Sequence, residues 1–320
     1  MTAEDGTSGA AAAKRHSRSE VRWLGLTERQ IALILLFIAP ALFCSNMLTA
    51  RATHDLFPPV ALAFWRWTAT FALLLPFTAG ALWRYRTDIA HEWRDVLVLG
   101  ALGMGVCGAF VYIGADTTSA TNIGLIYAAS PILIVVLARV FYHEPLSLLQ
   151  GSGILLSLTG VVAIVARGEL QVLTTLSFTP GDLWVVAAMS GWALYAILLR
   201  HRPSALPMMA RFAAIVGGGI LVLLPFTVME GLGGELPRWD GRSFLTVGFL
   251  AVFASFGAYQ VYALVQRILG AGPTSLLMYL IPVYNSLLAY LLLGEALHGY
   301  HLIGAALVLP GIFLATHKAV

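Results

Sequence analysis

Residues 74–78 read Leu-Leu-Pro-Phe-Thr, and residues 223–227 read the same five again, 149 positions later. At that offset Arg51 falls on Arg200, Pro58 on Pro207, and the run Gly108-Ala109-Phe110 on Gly257-Ala258-Tyr259. Further along the offset is 151: Pro131 meets Pro282, Glu144 meets Glu295, Gly153 meets Gly304 and Gly160 meets Gly311. The second copy therefore carries a two-residue insertion ahead of its last third. A chain that repeats itself over nearly half its length folds as two related units.

What each unit is made of follows from hydropathy. The chain is 59% hydrophobic and 11% charged, with a mean hydropathy of +0.82, too little charge to cover a water-facing surface. Ile31–Ala50 and Ile268–Leu293 contain no Asp, Glu, Lys or Arg, and about 20 apolar residues at 1.5 Å each cross a bilayer core. Ten such segments are expected, near 31–50, 57–80, 94–115, 119–141, 148–166, 181–200, 206–229, 243–267, 271–293 and 299–317. The reading is an all-α integral membrane protein with ten transmembrane helices in two sets of five. Residues 1–30 read as a disordered basic cytoplasmic tail, 31–167 as the first five-helix repeat and 181–317 as the second.

An odd number of helices per copy threads the second copy through the membrane in the opposite direction, which makes the repeat inverted. Basic residues set the orientation. With the tail in the cytoplasm, thirteen Lys and Arg lie on that side, and only Arg51, Arg167, Arg238 and Arg242 lie on the other. Both termini are expected to face the cytoplasm of a cell whose inner (plasma) membrane holds the chain. Inverted repeats commonly place a solute site where the halves meet and expose it to each side in turn.

The same residues carry a resemblance. Ala128-Ala129-Ser130-Pro131, Glu144-Pro145-Leu146, Gly153 and Gly160 have partners in Ile281-Pro282, Gly294-Glu295-Ala296-Leu297, Gly304 and Gly311. Both stretches resemble the EamA-type repeat of the drug/metabolite transporter superfamily, over about residues 30–317, with His143 replacing the usual Gly before the first Glu. The resemblance implies a secondary transporter, often an exporter, of small metabolites such as amino acids. It also implies a central cavity within helices one to four and six to nine, with helices five and ten peripheral.

Arg66 stands out as a cation expected near the bilayer midplane, where a guanidinium must face protein or water. It is suited to a substrate carboxylate or phosphate, or alternatively to fixing helix packing. Asn46, Trp192, Tyr195, Tyr279 and Asn285 are further candidate binding residues, with Phe43, Tyr112, Asn122, Tyr127, Tyr259, Tyr262 and Tyr284 also in or near spans. Trp65 and Trp67 are expected to point away from Arg66, because adjacent helical residues diverge by about 100°. Pro131 and Pro282 are expected to loosen or kink helices four and nine and so mark gates, the alternative being a static bend needed for packing. Glu144 and Glu295 are expected to cap helices five and ten, the alternative being a latch on each face. Ala101, Gly105 and Ala109 are expected to let helix three approach a neighbour closely.

No carboxylate lies mid-span, so no proton relay at depth is expected. No catalytic motif, Walker loop or metal-ligand cluster is present in the sequence, and Cys44 and Cys107 read as small packed residues. No enzyme activity, cofactor, metal or nucleic-acid partner is expected. The expected partners are a small-molecule solute and membrane lipids, with the chain a monomer or homodimer. A membrane receptor that binds a solute without moving it is the other functional reading.

Overall fold

A computed structural model describes residues 22–23, 26–52, 56–175, 177–293, 296 and 298–316. Glu295 and most of the expected tail therefore lie outside the described residues. The first copy contains α1 (Glu28–Ala52), α2 (Pro59–Arg84), α3 (Arg86–His91), α4 (Trp93–Gly100), a π-helical stretch (Ala101–Val106), α5 (Cys107–Ala115), α6 (Ala120–Ala128), α7 (Ser130–Tyr142) and α8 (Leu148–Val165). After a short α9 (Leu170–Thr174), the second contains α10 (Pro180–His201), α11 (Met208–Leu232), α12 (Gly241–Phe249), a second π-helical stretch (Leu250–Gly257), α13 (Ala258–Leu269), α14 (Ala271–Ser275), α15 (Leu277–Leu293) and α16 (Gly299–Thr316). Ahead of α1, β1 (Arg22–Trp23) pairs antiparallel with β2 (Leu26–Thr27). The first helix begins three residues before the expected boundary, because Thr27 and Gln30 each bind the other's backbone amide, at 3.2 and 2.9 Å, as a capping box does.

Element boundaries repeat at the offsets read from the sequence. α11 starts 149 residues after α2, while α13 starts 151 after α5 and α16 spans α8 displaced by 151 at both ends. The change of offset falls between the six-residue and eight-residue π stretches, which both begin at the 149 register. Extra residues absorbed without breaking a helix widen its turns, so the insertion is accommodated as π-helix. That also corrects the expectation for Ala101, Gly105 and Ala109. A four-residue stripe does not persist through π turns, and the close approaches are made by Gly100 and Gly103 instead. A Cβ at Gly100 would lie 2.7 Å from the Ile215 carbonyl of α11, and one at Gly103 2.7 Å from the Tyr195 ring.

α8 and α16 pack on each other through the repeated glycines. A Cβ on Gly153 would lie 2.5 Å from the Gly311 carbonyl, and one on Gly160 2.6 Å from the Gly304 carbonyl. Rising numbers on one helix meet falling numbers on the other, so the two helices are antiparallel. Since they are equivalents in the two copies, the copies run in opposite directions: the repeat is inverted.

Nine helical stretches among the described residues are long and apolar enough to cross a membrane. The ninth expected segment, 271–293, is divided at Leu276 into α14 and a 17-residue α15. The fourth is divided too, but at Ala129. Pro131 therefore does not kink a continuous helix. It sits in the first turn of α7, where its missing N–H leaves no bond unmade. Pro282 does lie inside α15. Outward faces carry large exposed side chains such as Phe77, Leu155, Leu221, Phe226 and Phe313, an apolar surface that needs lipid to cover it.

Gly160→Val should cost several kcal/mol, above the roughly 1–3 kcal/mol typical of overpacking, since backbone rather than a movable side chain blocks the space. Gly151, one turn into the same helix with nothing within 4 Å of an added Cβ, should accept Ala without loss. Thermal unfolding of the two detergent-purified variants, scored by monodisperse elution, checks the contrast.

Candidate functional site

Arg66 lies seven residues after Pro59 on α2, about 10 Å along the helix. As α2 continues to Arg84, this is nearer one end than the expected midpoint. The side chain is buried, at 3% exposure. Its Nη1 donates to Asn46 Oδ1 at 2.7 Å and to Tyr112 Oη at 2.9 Å, and the Tyr112 hydroxyl donates to the same Asn46 oxygen at 2.6 Å. Three helices, α1, α2 and α5, thus hold one guanidinium by neutral groups. Among the described residues no carboxylate lies within ion-pair distance of it, and its Nε is buried with no hydrogen-bond partner.

Trp67, expected to point away, is fully buried, and the guanidinium carbon lies 4.6 Å from its ring centre. Backbone divergence between neighbours is real, but a long Arg side chain can fold back over the next ring. From Trp67 a run of ring contacts crosses to the second copy. Trp67 meets Tyr259 at 5.0 Å, Tyr259 meets Trp192 at 5.7 Å, and Trp192 meets Tyr262 at 4.8 Å, Phe43 at 5.6 Å and Tyr195 at 5.8 Å. The Tyr259 hydroxyl donates to the Gly103 carbonyl in the first π stretch at 3.2 Å, where wide turns leave carbonyls available. The structure thus joins Arg66 directly to Asn46, and through rings to Trp192 and Tyr195. It does not bring Tyr279 or Asn285 into hydrogen-bond or ring contact with that group, although the Tyr279 hydroxyl and Asn285 Oδ1 are buried without partners.

Both faces are tied across the copies. On one, Glu230 in the last turns of α11 accepts the Val60 and Ala61 amides of α2 at 3.0 and 2.7 Å. Beside it the Arg238 amide donates to the Leu56 carbonyl at 2.9 Å, and Trp239 meets Phe57 at 5.4 Å and Trp65 at 5.0 Å. Asp240 starts α12, and the Ser243 amide and hydroxyl hold its carboxyl below the usual range. Leu56, Phe57, Leu62, Val247, Leu250 and Ala254 form a buried plug under this face, with Tyr112 packed against it. Asp182 in the first turn of α10 accepts from the Thr118 hydroxyl and from Asn122 Nδ2, so Asn122 serves this face rather than a cavity.

The other face bears Glu92, which accepts the Ser204 hydroxyl at 2.6 Å and the Ala205 amide at 2.9 Å just ahead of α11. There Asp95 lies 3.3 Å from Arg202, and Glu144 lies 2.9 Å from His201, whose ring stacks on Tyr142 at 3.7 Å. Glu144 therefore does not cap α8, a role taken by Ser147 with Gln150. It holds the end of α10 in the other copy. On each face, then, a carboxylate of one copy grips the chain entering the second long helix of the other. Neither Glu230 nor Glu92 falls in an apolar run, so hydropathy does not mark them; the helix containing Glu230 continues to Leu232.

Residues 30–166 and 179–316 each match the EamA-like transporter family. The chain is 27% identical to "Uncharacterized transporter YyaM" of Bacillus subtilis over 83% of this chain and 87% of that one. It is 26% identical to the "Probable terminal-alkyne amino-acid exporter" of Streptantibioticus cattleyicolor, over 77% and 80%. A solved crystal structure superposes with a TM-score of 0.73 at 22% identity, over 90% of this chain and 96% of that one, and so shares the fold. The chain belongs to the EamA-like transporter family, within the drug/metabolite transporter superfamily, and is a multi-pass membrane protein.

If the two carboxylates are the ties that close each face, Glu230→Gln should expose the plug beneath it. In a Cys44→Ala, Cys107→Ala background, labelling of Ala254→Cys by an impermeant thiol reagent should rise at least about tenfold, the equivalent of losing one charge-assisted contact. Glu92→Gln should do the same for Ala210→Cys from the opposite side and leave Ala254→Cys unchanged.

Proposed function

We propose that this EamA-family transporter is a secondary exporter of small organic metabolites, amino acids or similar, working by alternating access without a bound cofactor. Its two working units are residues 31–167 and 181–317. It resides in an inner (plasma) membrane, with both termini in the cytoplasm. The excess of Lys and Arg on the face that carries Arg84, Arg86, Arg94, Arg200 and Arg202 supports that orientation. The observation that carries the reading is the pair of opposed ties, Glu230 on Val60 and Ala61, and Glu92 on Ser204 and Ala205, with Arg66 between them.

In an inverted repeat, rocking one copy against the other loosens one face as it tightens the other. The antiparallel α8–α16 pair, rigid at its glycines, is the hinge in this scheme. Helix breaks at Ala129 and Leu276, next to Pro131 and ahead of Pro282, give the fourth and ninth spans room to bend. Arg66 and Asn46 bind the solute, with Trp192 and Tyr195 bordering it; Tyr279 and Asn285 join the site in another stage of the cycle. The amino-acid exporter among the relatives supports that substrate class.

Sealed vesicles containing the purified protein and loaded with unlabelled amino acids should accumulate labelled solute by counterflow. The Glu92→Gln, Glu230→Gln double variant should lose at least about nine-tenths of that rate, because a carrier open to both faces cannot hold a gradient. Binding without counterflow for every solute tried would favour a receptor instead.

A further inference from the structure

We infer that the solute bound at Arg66 carries a carboxylate on an apolar or aromatic body, and that purely cationic solutes are rejected; the inference rests on the transport reading above. Charge is the first argument. Arg66 is buried and, among the described residues, has no carboxylate within ion-pair distance, so its charge is uncompensated where compensation matters most. Asn46 and Tyr112 satisfy only Nη1 and fix the direction of the guanidinium, while Nε stays without a partner.

Hydrogen-bond polarity is the second. The indole N–H groups of Trp67 and Trp192 are also buried without partners, and both belong to the ring run that leads away from Arg66. Guanidinium and indole nitrogens can only donate. A ligand that completes this site must therefore supply acceptors, and a planar two-oxygen carboxylate matches the guanidinium fork. The rest of the solute would lie among Trp67, Tyr259, Trp192 and Phe43, whose rings close on one another in this structure and must part to admit it.

Of the acidic groups on either side of the site, Glu230 and Glu92 are held by backbone amides, Asp182 by Thr118 and Asn122, Asp240 by Ser243, Asp95 by Arg202 and Glu144 by His201. Among the described residues no carboxylate lies within ion-pair distance of Arg66, so an ammonium group on the solute finds only neutral oxygens and ring faces there. For an α-amino acid, the carboxylate and not the amine then decides binding.

Four probes that differ by one group test this: hydrocinnamate, its amide, phenethylamine and phenylalanine, titrated against purified protein by tryptophan fluorescence and thermal shift. Hydrocinnamate and phenylalanine should bind, the amide about 10- to 100-fold more weakly, as expected for loss of a charge-assisted pair, and the amine not at all. Arg66→Gln should bring acid and amide within about threefold of each other, while Arg66→Lys, a second variant that keeps the charge, should retain a preference for the acid. Equal binding of acid and amide by the unmodified protein, binding of the amine, or binding of none of the four would overturn the assignment. So would an acid preference that survives Arg66→Gln. Acid-selective binding without counterflow would keep the ligand class and sink the transport reading.

Discussion

The contact on which the rest of the structure depends is the glycine-to-backbone packing of α8 against α16. Gly153 and Gly160 face Gly311 and Gly304 at distances that leave no room for a side chain, and the same two helices are the last elements of the two copies. Without hydrophobic drive between helices in lipid, close van der Waals approach is what holds such a pair. Because equivalent helices meet antiparallel, one contact both joins the copies and fixes their opposite threading. Everything placed on the two faces follows from that: loops of one copy land beside helix starts of the other.

The ties on those faces share a chemistry. Glu230 binds two free amides at the start of α2, and Glu92 binds an amide and a hydroxyl at the approach to α11. A helix start offers unpaired N–H groups and a positive dipole end, so a carboxylate from the other copy is a natural clasp. Each clasp is two hydrogen bonds to one carboxylate, and each ties the two copies together at its own face. Arg66 lies two turns or less from Val60 and Ala61 on the same helix, and its partner Tyr112 packs against the plug of Leu56, Phe57 and Leu250.

Much of this was legible in the residues. The matched prolines and glycines gave the two offsets, and element boundaries repeat at those offsets because equivalent residues meet equivalent constraints. The cost of burying Arg66 pointed to it, and to a polar neighbour such as Asn46. Other features left no trace. A π stretch inside an apolar run has no hydropathy signature, so the insertion was read too late, between Phe110 and Pro131 rather than within 101–106. Trp67 was discounted from backbone angles alone, although side-chain length decides where a guanidinium ends. Glu144 looked like a cap because it precedes a helix, yet Ser147 is three residues closer to α8 and forms the box with Gln150. Contacts between the copies, such as Glu144 with His201, depend on the assembled bundle and cannot be read from either copy.

Opposite threading is tested most directly by distances along the α8–α16 pair. Spin labels placed on the exposed residues Leu148, Leu302 and Phe313 report it by pulsed electron paramagnetic resonance. Antiparallel packing predicts that Leu148 lies closer to Phe313 than to Leu302, since Leu302 is about 16 Å from Phe313 along the helix axis, the rise of eleven residues. The reverse order, with Leu148 nearer Leu302, would mean parallel copies and would contradict the account at its foundation.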